Sequence, residues 1–466
     1  MQSWVKEELK DVNLPDKRLN KRLIKIVGNL AQQPHASVPQ ACGDWANTKA
    51  TYNFWQSKRF ECEEIIDAHQ KQSAERASSE KIVLAIQDTS DFNFTHHPGK
   101  TWDKGFGMTC SQKYVRGLKV HSIMVSTTQG VPLGIVDQQI WTRNPKKRKK
   151  KPKHKASSSI LKKESKRWLT GLVTTELAIP STTKVVTVTD REGDIYELFA
   201  LEREANSELL IRAKHNRRIA HELKLLNEAI AQTPSSGQLV ISVPRKDEQP
   251  TREATLTVSY ASFTVLAPNN RPKTATRQEI TLNVIAAREE NPPAGSTPIN
   301  WLLLTTLEVK NFEQAVRCIR WYTYRWLIER YHYVLKSGCR IEHLQLETAE
   351  RVKKALATYA IVAWRLLWLT YQARQNPELP CDTILETHEW QSLYCHIHDV
   401  PLPNSQPPSL KQAVIWIAQL GGFLARKHDG FPGVKTIWRG LARLHDIAST
   451  WKRLHPSSHL SLETYG

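Results

Sequence analysis

The chain has 466 residues, 40% of them apolar and 24% charged, with 66 Lys and Arg against 46 Asp and Glu and a formal charge of +20. That length allows roughly two to four domains and a large core, and the composition excludes a wholly disordered, collagen-like or disulfide-stapled chain. The excess of one sign calls for a polyanionic partner, most simply nucleic acid, with a generally basic surface as the alternative.

In chain order, residues 1 to about 70 read as helical. Pro15 and Asp16 suit a helix start. Behind them Leu19, Leu23, Ile26 and Val27 form one stripe, while Lys17, Arg18, Lys21, Arg22 and Lys25 crowd the remaining face. Such a helix suits a DNA backbone or groove, or is an ordinary solvated face.

The body opens with Lys81–Gln87, an apolar strand ending in Asp88. Lys119–Ser126 and Val131–Asp137 follow as strands, with Gln129-Gly130 as a hairpin turn. From Trp141 to Thr170 there are thirteen Lys or Arg and one acid, Glu164. The densest part, Arg143–Lys155, carries two prolines and repels itself, so it reads as a solvated loop able to neutralise DNA phosphates. A helix is expected over about 157–177. The strand Lys184–Thr189, ending in Asp190, a helix over about 193–204 and the strand Glu208–Ala213 come next. Three antiparallel strands followed by alternating helices and strands describe an α/β, ribonuclease-H-like core.

From about 238 to 306 the chain is rich in Thr and Val. Four strands, Leu239–Val243, Ala254–Tyr260, Glu279–Ile285 and Trp301–Thr306, read as a β-subdomain inserted over about 216–306. Asn311 caps one long helix to about Lys336, and the remainder is helical. The expected division is a helical N-terminal domain, 1–70, a catalytic domain, 71–373, and a helical C-terminal domain, 374–466. The seven cysteines, 42, 62, 110, 318, 339, 381 and 395, contain no C-x-x-C and read as reduced cytoplasmic thiols. The opening residues lack an apolar signal core, and the apolar stretch Tyr359–Tyr371 is interrupted by Arg365 and too short to span a bilayer. No membrane partner is expected.

Three carboxylates carry the chemistry. Asp88 and Asp190 each end an apolar strand, at the sheet edge where sites form in open α/β folds. Acids also stand at 192 and 194. Glu329 lies four residues after Arg325, so the two share a helix face, and an unbroken helix would align Tyr322 and Lys336 with them. Phosphodiester cleavage needs an activated water and a stabilised leaving oxygen, which two Mg²⁺ ions on a few carboxylates can serve. Arg, Lys and Tyr beside them suit phosphate oxygens. The bland alternative is a helix with an Arg–Glu pair and some exposed charges.

The spacing Y-x2-R-x3-E-x6-K, met as Tyr322, Arg325, Glu329 and Lys336, resembles the signature of insertion-sequence-four family transposases, in particular the Tn-five-like group. Gln87-Asp88-Thr89 and Val188–Tyr196 resemble that family's first two catalytic segments. Arg212-Ala-Lys-His215, Asn291-Pro-Pro, Trp301–Thr305 and Ile417–Phe423 resemble later blocks, in order.

The resemblance implies a cut-and-paste DNA transposase of bacterial cytoplasm and nucleoid. Its ribonuclease-H-like core would be flanked by a DNA end-binding domain and a dimerisation domain. Asp88, Asp190 and Glu329 would be the catalytic, metal-binding triad, holding two Mg²⁺ ions with Mn²⁺ able to substitute. One strand would be nicked, a hairpin formed and opened, and the 3′ ends joined to target DNA. The partners implied are double-stranded DNA, at element ends and target, and a second copy of the chain in the DNA complex. By position Trp301 would stack on a flipped base, with a core strand residue as the alternative, Tyr322, Arg325 and Lys336 would grip the nearby phosphate, and Arg212 and Lys214 would touch DNA. Trp326 would wedge or pack there, and His332 would contact DNA or face solvent. The chain departs from the pattern at Arg330 and Tyr333 and in the basicity of Arg143–Lys155. A catalytically silent DNA-binding regulator and a ribonuclease-H-like nuclease are the competing readings.

Overall fold

The computed structural model describes residues 3–97, 99, 104–109, 115–143, 163–243, 251–269 and 278–455. Most of the basic run Arg143–Lys155, the start of the helix expected over 157–177, and Cys110 lie outside them. The chain divides into two compact units: Met1–Gln72 with Asp91–Leu118 and Arg330–Gly466, and Ser73–Ser90 with Lys119–Glu329.

The strands are β1 (Ile82–Asn93), β2 (Gly107–Met108), β3 (Arg116–Thr127), β4 (Pro132–Trp141), β5 (Lys184–Thr189), β6 (Ser207–Arg212), β7 (Gly237–Val243), β8 (Arg252–Leu266), β9 (Glu279–Glu289) and β10 (Asn300–Thr305). In the second unit their order is β3-β1-β5-β6-β10-β9-β8-β7, with β4 on the outer side of β3. β1, β5 and β6 are parallel neighbours, and β10, β9, β8 and β7 continue antiparallel. The Thr- and Val-rich segment therefore extends the core sheet: Leu303 of β10 stands opposite Arg212 of β6.

The residue patterns account for this. In β5, Val185, Val186 and Val188 are buried with Thr187 and Thr189, as a parallel strand covered on both faces requires. In β8, Ala254, Leu256 and Val258 are buried and Thr255 and Thr257 are not, the period of a half-covered strand.

The helix after the basic run spans Lys166–Ala178. Its Trp168 and Leu172, one turn apart, enter a core with Phe199, Leu209 and Ile211. A Cβ on Gly171 would lie 2.9 Å from Gln87 Oε1, so the glycine permits the helix to approach β1 closely.

Two expected helices differ. Over 193–204 there is a 3₁₀ turn, Arg191–Gly193, and a helix of only Tyr196–Ala200. Asp194 leaves the helix because its buried carboxylate accepts the N–H groups of Lys214 at 2.7 Å and His215 at 2.9 Å and pairs with Arg217. The single helix from Asn311 to Lys336 is also broken, into Phe312–Thr323, Trp326–Tyr333 and a π turn, Val334–Gly338. At the first break Tyr324 and Arg325 bond back three residues, to Trp321 and Tyr322. The Tyr324 ring fills the space over Gly130, where a Cβ would collide with it. Tyr322, Arg325, Glu329 and Lys336 thus do not lie along one unbroken α-helical stripe.

In the first unit, β2 pairs with the opening residues of β3. The basic helix spans Lys17–Gln32, capped by Asp16, which accepts the Arg18 N–H. Leu23, Ile26, Val27 and Leu30 are buried, Lys17, Arg18, Lys21 and Lys25 exposed, and Leu19 and Arg22 half-buried. The long helix Ala349–Gln375 runs through this unit's core, and its Thr358 accepts from Trp55 Nε1 at 3.2 Å. Helices Leu410–Leu420 and Val434–Leu454 cross at Gly440, where any Cβ would run into the Ile417 carbonyl. Among the described residues no helix is long and apolar enough to cross a membrane, and the six described cysteines are free and buried.

Candidate active site

The parallel register of β1 and β5 pairs Gln87 with Thr189. Asp88 and Asp190 come next after that last pair: Asp190 directly follows β5, as expected, but Asp88 does not end its strand, because β1 runs on to Asn93. Asp190 caps the 3₁₀ turn through Oδ1, which accepts the Glu192 N–H at 2.8 Å. Gly193 is required there, since a Cβ would strike the Thr189 side chain.

Burial raises the Asp190 pKa. The Glu192 N–H and Arg325 oppose that shift, and the charge of Asp88 adds to it. The charge of Asp88 is thus felt at Asp190.

Glu329, on the helix Trp326–Tyr333, bonds Arg325, Nη1 to Oε1 at 2.5 Å. Burial works against the Arg325 charge, but Tyr322, Glu329 and Asp88 outweigh it and its pKa is raised. One guanidinium therefore answers to all three carboxylates. Among the described residues, no group of three or more His, Cys, Asp or Glu is gathered to hold a metal ion. Two neighbouring aspartates still suit Mg²⁺, which takes hard oxygens and commonly needs only one or two carboxylates beside substrate phosphates.

Around this centre Trp301 is 5% exposed, edge-to-face with Tyr322 at 5.1 Å and Trp326 at 6.3 Å. Tyr322 is 3% exposed, and its hydroxyl is buried without a hydrogen bond of good geometry. The guanidiniums of Arg325 and Arg212 lie close enough to influence its pKa, which burial raises. Arg212 Nη2 donates to the Asn300 carbonyl at 3.1 Å. Lys214 is exposed on the turn that Asp194 anchors.

In the other unit, Lys336 sits on the π turn with its ammonium 5.1 Å over the Phe92 ring. His332, expected in solvent or on DNA, is 4% exposed and edge-on to Phe92. Tyr333 packs on Trp438. Of the five cations on the basic helix, Arg18 pairs with Asp16 and Arg22 reaches Asn47 at 3.4 Å.

Sequence reasoning missed Arg167. It lies inside the basic run, on the helix expected over about 157–177, and reads there only as one more charge. Yet Nε donates to Thr89 Oγ1 and Nη2 to Glu192 Oε2, each at 2.8 Å, beside both aspartates.

A family model described as transposase DNA-binding matches residues 1–60, and one described as the transposase Tn5 dimerisation domain matches residues 361–453. The two stand at opposite ends of the chain and match an insertion-sequence-four, Tn5-like transposase. A solved piggyBac transposase synaptic complex with hairpin DNA aligns at TM-score 0.41 and 8% identity, over 100% of this chain and 80% of that one. That likeness is too weak to bear on fold or function.

Proposed function

We propose, for a chain whose two ends carry the domains of a Tn5-like transposase, that it excises and inserts DNA by metal-dependent cleavage and strand transfer at Asp88, Asp190 and Glu329. The observation that carries the reading is that Asp88, within β1, and Asp190, just past the end of the parallel neighbour β5, come next after the pair Gln87–Thr189, under the charge of an arginine that also holds Glu329. In this reading water attacks a phosphodiester at the element's end and the 3′ oxygen leaves. That freed hydroxyl attacks the opposite strand to form a hairpin, water opens it, and the 3′ hydroxyls attack target phosphodiesters.

Mg²⁺, or Mn²⁺ in its place, would be held by the three carboxylates and would supply the Lewis acidity that activates the attacking oxygen and steadies the leaving one. The chain's residues do the rest. Asp190, with its raised pKa, must be ionised to serve as a ligand. Arg325 offers a planar fork to phosphate oxygens, and Tyr322, Arg212, Lys214 and Lys336 offer further donors. Trp301 would stack on an extruded base, which recovers part of the cost of unstacking it. Lys17, Arg18, Lys21, Arg22 and Lys25 would bind the element's end, with a second copy of the chain holding the other end.

The test uses a labelled duplex carrying the DNA that flanks this gene, incubated with the wild-type chain and with Glu329→Ala, in Mg²⁺ and in Ca²⁺, and resolved on denaturing gels. Nicks and hairpins from the wild type in Mg²⁺ alone are expected. Equal binding by both proteins without any cleavage would replace this reading with that of a DNA-binding regulator.

A further inference from the structure

One largely buried side chain bonded to both aspartate-bearing segments has no role in the transposase reading. Arg167 lies in the first turn of the helix Lys166–Ala178, and its side chain is only 12% exposed. Its guanidinium makes three bonds: Nε to Thr89 Oγ1 at 2.8 Å, Nη2 to Glu192 Oε2 at 2.8 Å, and Nη1 to the Glu164 carbonyl at 3.1 Å. It also lies 5.1 Å from the Trp168 ring and 5.8 Å from that of Trp141.

These partners are specific. Thr89 follows Asp88 directly. Glu192 donates its own N–H to Asp190 Oδ1 at 2.8 Å. One guanidinium therefore spans both aspartate-bearing segments.

The Thr89 hydroxyl is held from its other side by His121 Nδ1 at 2.9 Å, and His121 Nε2 stands 3.2 Å from Gln87 Oε1. With a neutral ring the chain of bonds runs one way: Arg167 Nε–H to Thr89, the Thr89 O–H to Nδ1, and Nε2–H to Gln87. Residues 87 and 89 are thus fixed on both sides of Asp88. The ring of His121 is itself locked, buried edge-on at 4.6 Å to Trp168.

We infer that Arg167 is a positioning residue that sets the spacing of the Asp88 and Asp190 carboxylates for the divalent cation. This rests on the reading of those aspartates as cation ligands. Groups that orient ligands without binding the ion typically change metal affinity or activity by about 10–100-fold when removed. A lysine could meet Glu192 but could not also serve Thr89 and the Glu164 carbonyl in one plane.

The experiment measures Mn²⁺ binding by electron paramagnetic resonance on the DNA-free full chain, together with the Mg²⁺ concentration for half-maximal nicking and the affinity for the end duplex in Ca²⁺. Arg167→Gln is expected to raise the Mn²⁺ Kd and the half-maximal Mg²⁺ by about tenfold or more, with duplex affinity in Ca²⁺ unchanged. Arg167→Lys is expected to recover part of the loss. Thr89→Val, which removes the hydroxyl that accepts from Arg167 and donates to His121, keeps the question answerable if Arg167→Gln does not fold, and its expected effect is a several-fold weaker Mn²⁺ affinity. A folded Arg167→Gln or Thr89→Val with wild-type Mn²⁺ affinity and Mg²⁺ requirement overturns the inference. A wild-type chain that binds no Mn²⁺ and nicks no duplex overturns the underlying reading, and the inference with it.

Discussion

Arg325 closes on Glu329 one helical turn later, Nη1 to Oε1 at 2.5 Å, while its charge also reaches Asp88. Glu329 is 53% exposed on its side chain, so a solvent-facing acid is clamped by a largely buried arginine. Replacing Arg325 with Met removes a positive charge from a field of three carboxylates. Mn²⁺ affinity of the DNA-free chain is expected to rise by roughly threefold to tenfold. Nicking of the end duplex is expected to fall by roughly 100-fold, the usual cost of losing a donor that meets charge in the transition state. Titration by electron paramagnetic resonance and single-turnover gels read the two effects separately. A fall in both would mean that Arg325 supports the cation site rather than competing for it.

Asp190 gives a pH dependence. Its pKa is raised by burial and by Asp88, so the folded chain holds that proton more tightly than the unfolded one. The stability it contributes is full below the unfolded carboxylate pKa and is lost as pH rises through the folded value. Asp190→Asn is therefore expected to melt higher than wild type at pH 7, by roughly 2–4 °C, with the gap closing by about pH 4. Thermal unfolding at the two pH values checks this. Activity should move the other way, falling as pH drops through the raised value.

Asp194 stands four residues from Asp190 but serves the fold. Its carboxylate is buried, pairs with Arg217 and accepts two backbone N–H groups. Removing one partner of such a pair leaves a buried charge, and Asp194→Ala is expected to cost about 3–5 kcal/mol in urea unfolding. Loss of cleavage by this variant without loss of stability would place Asp194 at the cation instead.

Gly440 permits the crossing of helices Leu410–Leu420 and Val434–Leu454, the region that matches a dimerisation domain. Gly440→Ala is expected to destabilise the chain by about 1–3 kcal/mol through forced separation of the two helices. Sedimentation of the chain with end duplex should then show a weaker two-chain complex, while a surface change such as Lys411→Ala leaves it intact.

Much of the site was legible because it follows from local pattern. Short runs of Val and Ile before an acid mark β5 and the first half of β1, though not that β1 runs on past Asp88 to Asn93 or that the register pairs Gln87 with Thr189. The Thr–Val alternation marked β7 to β10, though not that β10 would pair with β6. What stayed hidden depends on long-range contact. Tyr324 breaks a helix because its ring seats over Gly130, nearly 200 residues earlier. Arg167 was concealed by its neighbours, since a lone buried arginine inside a basic run has the same composition as a solvated one. His332 reads as polar, and only the Phe92 ring against it explains its burial.

The central claim is that Asp88, Asp190 and Glu329 together hold the divalent cations, and iron-directed cleavage tests it most directly. The chain bound to end duplex would be loaded with Fe²⁺ in place of Mg²⁺, treated with ascorbate and peroxide, and its fragments sized. Backbone cuts near residues 88, 190 and 329, suppressed by excess Mg²⁺ and lost in Asp190→Asn, are the expected result. Cuts elsewhere, or the same three cuts in Asp190→Asn, would contradict the account.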